Sequence, residues 1–347
     1  MSESKQGHIF VTRRLPKAGM EILEQSQARI TVFQMDEGKG LTKEEVIDGV
    51  KSCDVLIPLL TEPIDREVMS AGPQLLGIAQ MAVGFNNIDV EVATELGIPV
   101  ANTPGVLSDT TADLTWALLM AVARNIPQAH NYMVAGRYKL WGPNLFAGAD
   151  ISPGGSGRRK VLGIVGYGRI GAAMAKRSIG FDMDVLAHDP FNKDGVAADP
   201  LAQWAELDEL LEKSDFVSLH PLLTPDTHHL IGEAELRKMK PTAYIVNASR
   251  GPVIDEKALV RALREQWIAG AGLDVYEYEP AMAEGLAELE NVVLLPHIAS
   301  ASLDTRGKMA AMAATNALAH LERERAPNAV NPEVYDTEAY RARITRG

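Results

Sequence analysis

The sequence has a single cysteine, Cys53, so it can form no internal disulfide and no CxxC metal site. A reducing compartment is expected, and a cysteine-based zinc centre is excluded. An excess of basic residues is also missing. With 34 Lys and Arg against 46 Asp and Glu, the formal net charge of -12 gives no general attraction to phosphate and argues against a nucleic-acid surface. No apolar run approaches the length of a membrane span, and the start, Met1 to Gly7, is polar with no signal-peptide core. These absences lead us to expect a cytoplasmic protein without a membrane or nucleic-acid partner. What is present is an ordinary composition, 46% hydrophobic and 23% charged, over 347 residues, enough for two domains with large cores.

The most informative stretch is Val161 to Gly171, Val-Leu-Gly-Ile-Val-Gly-Tyr-Gly-Arg-Ile-Gly. An apolar run ends in Gly166, Gly168 and Gly171, and Ala172, Ala173 and Ala175 follow in a small-residue segment able to form a helix close against a sheet. The glycines suit a sharp turn, a backbone bare enough to approach a pyrophosphate, and the crossing of helix and strand. Free N–H groups at the helix start would face the phosphates. A lone GxGxxG is weak evidence, but a second apolar run, Met183 to Ala187, ends at Asp189. That places an acid about 20 residues on, where dinucleotide folds hold the ribose hydroxyls.

The first hundred residues read as a smaller α/β unit. Apolar runs at Ile9 to Val11, Asp54 to Leu60, Leu75 to Met81 and Ile98 to Ala101 alternate with helix-like stretches such as Lys43 to Val50, which suggests parallel strands and crossover helices. The turn at Met81 to Asp89 has backbone N–H groups that could hold a small anion, although taken alone it reads first as an ordinary turn. Asp109 to Arg124 is expected to be a helix with Leu114, Ala117, Leu118, Ala121 and Val122 inward, and Thr110 with Asp113 resembles a capping box. Asn125 to Lys160 reads as a long irregular arm carrying Trp141, Pro143, Phe146 and the Pro153 to Gly157 run, and its aromatics suggest a homodimer surface.

Beyond it, strands are expected at Val161 to Val165, Asp184 to His188, Phe216 to Leu219, Ala243 to Asn247, Gly270 to Val275 and Val292 to Leu295, the six of a doubly wound dinucleotide fold. Asp255 should cap the helix that follows it. A last helix, Leu303 to Arg323, carries Met309, Met312, Ala313 and Ala317 as packing residues, and the tail beyond Pro327 is expected to wrap back onto the first unit. The expected fold is therefore α/β: a doubly wound (Rossmann) cofactor domain over 108–299, with a dimerisation arm at 125–160. A smaller flavodoxin-like α/β substrate domain takes 1–107 and 300–347.

Ligands of such sheets bind outside the carboxyl ends of the strands. Ala248-Ser249-Arg250-Gly251 follows the fourth strand, Asp274 and Tyr276-Glu277-Tyr278-Glu279-Pro280 the fifth, and Pro296-His297 the sixth. One guanidinium, one carboxylate and one imidazole at the nicotinamide end of a cofactor form a keto-acid reductase set. Arginine can grip a carboxylate with a planar fork and polarise a neighbouring carbonyl. Histidine, with an ordinary pKa of about 6.5, can protonate the carbonyl oxygen as hydride arrives, and a carboxylate beside it, here Glu279, favours the charged form by about 1–3 units. Taken singly, His297 reads as a packed or capping residue, Arg250 as a surface ion pair and Glu279 as a solvated acid; the case rests on their coincidence. His228 and His229 are given a loop role and no metal, because no acid or thiol stands at a ligand spacing. His220-Pro221 is expected to shape the cofactor cleft.

These residues resemble the D-isomer-specific 2-hydroxyacid dehydrogenase family over nearly the whole chain. The matching pieces are VGFNNID at Val83 to Asp89, GVLSDTTADL at Gly105 to Leu114, GYGRIG at Gly166 to Gly171, NASRGPVIDE at Asn247 to Glu256, GLDVYEYEP at Gly272 to Pro280 and PHIASAS at Pro296 to Ser302. Within the family the likeness is fullest to plant-type NADH-dependent hydroxypyruvate reductases, with glyoxylate reductases close behind. The resemblance implies Arg250 as substrate binder, His297 as acid/base and Glu279 as its partner, with the backbone at Val83 and Gly84 holding the substrate carboxylate. It implies a cofactor lined by Thr110, Arg169, Ile170, Asp189, Pro221, Thr227, Ala248 and Asp274, the last near the carboxamide, together with the glycines above. It also implies a homodimer joined through the arm. The chain ends in Thr345-Arg346-Gly347 and not in the peroxisomal tripeptide of the plant relatives, which keeps the cytoplasmic expectation.

Asp189 would repel a 2'-phosphate, and Pro190, Phe191 and Asn192 offer no arginine to neutralise one, so NADH is expected over NADPH. The leading expectation is NADH-dependent reduction of hydroxypyruvate to D-glycerate or glyoxylate to glycolate. The alternatives are an NAD(H)-sensing, corepressor-like binding protein and another family enzyme such as a phosphoglycerate dehydrogenase. A formate dehydrogenase is disfavoured by Glu279, since that branch pairs its histidine with glutamine. Positions near Leu60, Phe85 and Trp141 are expected to set pocket size.

Overall fold

The structure, a computed structural model, describes residues 7–33 and 40–345. The polar start and the last two residues of the chain lie outside the described residues. The chain divides into two compact units, Met1–Leu107 with Ala301–Gly347, and Ser108–Ser300.

The first unit holds a five-stranded parallel sheet of β1 (His8–Val11), β2 (Arg29–Val32), β3 (Val55–Ile57), β4 (Gly77–Ala79) and β5 (Val100–Ala101), in the order β2-β1-β3-β4-β5. That is the flavodoxin-like order. Side chains alternate across it, as the period of a strand requires. Phe10, Leu56 and Ile78 face one cluster with Val46, Val68 and Val92 from the helices, while Ile9, Val11, Val55, Ile57 and Ala79 face another with Ala310, Ala314 and Ala317. Those alanines belong to the long helix Leu303–Leu321, whose Ser302 cap accepts the Thr305 N–H. The tail is tied to the same unit by Asn331, which accepts the Val100 N–H at 2.8 Å and donates to the Ile98 carbonyl, and by Arg343, which donates to the carbonyls of Leu96 and Leu75. The strand Arg29–Val32 was not expected. Its mixed sequence and half-exposed edge position leave no apolar alternation to read.

The second unit is built on β6 (Val161–Val165), β7 (Asp184–His188), β8 (Gln203–Trp204), β9 (Phe216–Leu219), β10 (Tyr244–Asn247), β11 (Gly270–Leu273) and β12 (Val292–Leu294). All pair in parallel, in the order β12-β11-β10-β9-β6-β7-β8, the doubly wound arrangement with one strand appended. The strand missing from the six expected is β8, two residues at the sheet's edge. One face packs Val217, Leu219, Ile245 and Leu273 on Leu210, Leu236 and Leu259. The other packs Leu162, Ile164, Phe216 and Val246 on Trp116, Leu119 and Met174.

Three local expectations are corrected. The helix Ser108–Ala123 begins before Thr110, so Thr110 and Asp113 lie inside it instead of forming a capping box; Asp113 instead pairs with Arg177. Its buried side is Thr111, Ala112, Thr115, Trp116, Leu118, Leu119, Val122 and Ala123, so Leu118 and Val122 face inward as expected, while Leu114 and Ala121 are only partly buried and Ala117 is exposed. Thr115 can face inward because it donates its hydroxyl to the Thr111 carbonyl, 2.7 Å away, and so buries no unsatisfied hydroxyl. Finally, the arm is not irregular throughout: Ile126–Val134 is a helix with Pro127 in its first turn, where a missing N–H costs nothing. Val134, Leu140 and Trp141 are among the most exposed apolar side chains of the described residues.

Asp215, at the head of β9, shows how the second sheet is anchored. Its buried carboxylate receives Arg158 through two N–H groups at 3.1 and 2.8 Å, the Val161 N–H at 2.9 Å and the Lys240 ammonium at 3.1 Å. Burial alone would raise this carboxyl, but Arg158, the Val161 N–H and Lys240 outweigh it and hold it below the ordinary value. Its contribution is therefore complete above the unfolded-state pKa and is lost as pH falls through the depressed folded value. Asp215→Asn is expected to cost about 2 kcal/mol at neutral pH, read by urea unfolding, since bonds to charged partners are each worth about 1.5–3 kcal/mol. The gap between the variant and the parent should narrow at acid pH; a gap independent of pH would refute the electrostatic account.

Candidate active site

β6 and β9 are sheet neighbours whose following helices cover opposite faces, so a crevice opens between their carboxyl ends. Gly166 follows β6 with φ of +87°, and a Cβ there would come within 2.5 Å of the His220 carbonyl carbon and Pro221 nitrogen just beyond β9. Only glycine allows both the turn and this approach. Gly171 meets the Gly166 carbonyl in the same way, at 2.3 Å, where helix crosses strand, whereas nothing lies within 4 Å of a Cβ at Gly168. The helix Arg169–Ser178 starts here, with Arg169 exposed and Ile170 partly so. Asp189 directly follows β7; its two oxygens accept the N–H groups of Tyr167 and Phe191, at 2.8 and 3.1 Å, and keep lone pairs for hydroxyl donors. An open glycine turn, a helix N-terminus and a fixed carboxylate are what a dinucleotide requires, so the residues present fit that cofactor.

The guanidinium, carboxylate and imidazole nominated from the sequence, Arg250, Glu279 and His297, come together on the loops after β10, β11 and β12. His297 Nδ1 lies 2.8 Å from Glu279 Oε2, and Glu279 Oε1 accepts the Tyr276 N–H at 3.1 Å. Burial acts to raise the Glu279 carboxyl, but the bond to His297, the histidine's charge, the Tyr276 N–H and the charge of Arg250 together hold it below the usual range. Arg250 is partly buried and donates to the Ser249 carbonyl at 2.7 Å. Desolvation draws its pKa down, and the Glu279 charge only partly restores it. Asp274 is fully buried at the end of β11, with its carboxylate accepting the N–H groups of Ile298 and Ala299 at 2.8 and 2.7 Å.

The other expected residues are distributed as follows. Pro221, Thr227 and Ala248 lie just beyond β9 and β10, and Thr110 lies in the first turn of its helix. The Thr227 hydroxyl is engaged within its own loop, donating to the Leu222 carbonyl at 2.6 Å and accepting the Thr224 N–H. Val83 and Gly84 belong to the first unit, in the turn after β4, where Asn102 and Gln80 donate to their carbonyls at 2.8 and 2.9 Å and so fix the peptide planes. The ground for excluding an acid near His228 and His229 is corrected: Glu277, 48 residues beyond His229, places Oε1 2.9 Å from its Nε2.

Three positioning residues escaped the sequence reading. Asn247, almost fully buried, accepts the Ser249 N–H and donates to the Arg250 carbonyl at 2.9 Å, shaping the turn that presents Arg250. An asparagine closing a strand before Ser-Arg-Gly is a turn signal that could have been read. Glu256 accepts the N–H groups of Glu277 and Ala283, both at 2.9 Å, and so clamps the two ends of the loop that carries Glu279, while Glu277 returns a carboxylate to the Glu256 N–H. Nothing local in the sequence announces that exchange.

Residues 116–299 match the NAD binding domain of the D-isomer specific 2-hydroxyacid dehydrogenases. A glyoxylate reductase of Korarchaeum cryptofilum is 50% identical over 94% of this chain and 96% of that protein. A crystal structure of a protein from Thermus thermophilus superposes with a TM-score of 0.86 at 41% identity, covering 93% of this chain and 99% of that one. An NADPH-dependent glyoxylate/hydroxypyruvate reductase of Sinorhizobium meliloti, solved with NADP and malonate, gives a TM-score of 0.79 at 28% identity over 94% of this chain and 98% of that one.

Gly251 sets the spacing between the arginine loop and the glutamate loop, because a Cβ there would fall 1.8 Å from the Tyr276 carbonyl oxygen. Gly251→Ala must displace backbone, and a loss of about 1–3 kcal/mol in unfolding free energy is expected from such overpacking. Unchanged stability by thermal denaturation would show that the loops separate freely.

Proposed function

The chain belongs to the D-isomer specific 2-hydroxyacid dehydrogenase family, and from that premise we propose that it reduces glyoxylate or hydroxypyruvate with NADH, releasing glycolate or D-glycerate. The observation that carries this reading is the His297–Glu279 pair standing beside a partly desolvated Arg250. When bound, the nicotinamide supplies a hydride to the carbonyl carbon. Arg250 grips the substrate carboxylate and draws charge toward the carbonyl oxygen, as a planar guanidinium can. With Nδ1 directed to Glu279, the imidazole has Nε2 left to give a proton to that oxygen. Glu279, held ionised, fixes the ring and offsets the positive charge when His297 is protonated. The backbone at Val83 and Gly84 is assigned to the substrate carboxylate.

Gly166, Gly168, Arg169, Ile170 and Gly171 are assigned to the pyrophosphate, Asp189 to the ribose hydroxyls, and Asp274 to the carboxamide. Thr110, Pro221, Thr227 and Ala248 are assigned to the walls of the same crevice. The Sinorhizobium meliloti relative uses NADPH, so kinship alone does not choose between the cofactors. Charge favours NADH: a 2'-phosphate would meet the Asp189 carboxylate, and the next base along the chain, Lys193, lies over the Trp204 ring at 4.8 Å.

An NADH-oxidation panel over glyoxylate, hydroxypyruvate and larger 2-keto acids tests the reaction; no oxidation with any of them would favour the NAD(H)-sensing binding protein. His297→Gln is expected to lower kcat by about 10²–10⁴-fold with a small change in KM, and near-normal kcat would remove the acid/base role. Arg250→Lys should raise KM for the keto acid by about tenfold or more, the equivalent of one charged hydrogen bond. Asp189→Ala should narrow the preference for NADH over NADPH; a wild-type enzyme that prefers NADPH would contradict the charge argument.

A further inference from the structure

We propose that His228, His229 and Glu277 form a site for a divalent transition ion of the zinc class. Adjacent residues in regular structure direct their side chains apart. Here His229 has φ of +53°, in the left-handed region, and the two imidazoles lie against each other, tilted, with ring centroids 4.1 Å apart and planes 31° apart. Glu277 reaches them from the loop after β11, and one donor atom from each of the three residues lies within 4.8 Å of the others. Small rotations about the side-chain bonds bring such atoms to the roughly 2.0–2.2 Å that zinc requires.

Each ligand is held from behind. The His228 and His229 N–H groups donate to the carbonyls of Thr224 and Pro252, at 3.0 and 2.7 Å. Glu277 Oε2 accepts the Glu256 N–H at 3.3 Å, which leaves Oε1 toward the histidines, 2.9 Å from His229 Nε2. In the absence of a cation that separation is a hydrogen bond; the ion replaces the shared proton. Two imidazoles and one carboxylate suit zinc, nickel, cobalt or copper, whereas magnesium and calcium prefer all-oxygen sites. Three protein ligands leave at least one position to water, and the exposed His228 gives the ion access. The site lies outside the His297–Glu279 pair.

Untagged full-length protein, stripped with chelator, is titrated with zinc by calorimetry and with cobalt by its visible absorption. One ion per chain is expected, unaffected by millimolar magnesium. His228→Ala, on an exposed side chain whose loss leaves the fold intact, should weaken binding by about tenfold or more, as should Glu277→Gln. His297→Gln should leave affinity unchanged. No stoichiometric binding at millimolar zinc, equal affinity in His228→Ala, or loss of the ion in His297→Gln would each overturn the assignment, the last by placing the ion on the His297–Glu279 pair.

Discussion

Asp274 receives three consecutive N–H groups: that of His297 on its backbone carbonyl at 2.8 Å, and those of Ile298 and Ala299 on its carboxylate. His297 needs this support because its φ of +53° is a conformation that costs an ordinary residue about 1–3 kcal/mol. These bonds offset only part of the cost of burying Asp274, whose carboxyl is pushed above its usual value by desolvation despite the two N–H donors and the charge of His297. The imidazole is thereby aimed by the backbone before Glu279 takes its Nδ1. A residue that holds the histidine's loop in this way is a positioning group as well as a candidate for contact with the carboxamide.

The same economy governs which parts of the molecule could be read in advance. Buried parallel strands are continuous apolar runs, so Val161–Val165 and Phe216–Leu219 were visible from composition alone, and Gly166 and Gly171 from their spacing. The edge strands Arg29–Val32 and Gln203–Trp204 were not, because a half-exposed edge imposes little apolar pattern. Arg250, Glu279 and His297 could be nominated since chain topology puts the ends of neighbouring strands together. The supports behind them could not. Glu256 and Glu277 exchange backbone N–H groups across 21 residues, and their partnership depends on the register of two loops and not on any local motif. His228 and His229 show the same limit: the chain around them carries no ligand spacing, while the fold brings Glu277 to His229 from 48 residues away.

The charges at the site imply an order of preference among ligands. Glu279 is held ionised by its neighbours, and its charge offsets only part of what burial costs Arg250. A neutral ligand would gain little from the guanidinium's charge, and a cation would be repelled by it. An anion relieves it, and a carboxylate relieves it best because two oxygens match the fork of N–H groups. The carbonyl beside that carboxylate is then held near the same positive charge, where an oxygen gaining electron density is stabilised more than the ground-state carbonyl. On the proposed function, substrate affinity and activation would both draw on the same guanidinium, Arg250. On that proposal, an acid introduced beside Arg250 would compete with the substrate carboxylate for the guanidinium and would weaken the binding of 2-keto acids even if it stabilised the fold.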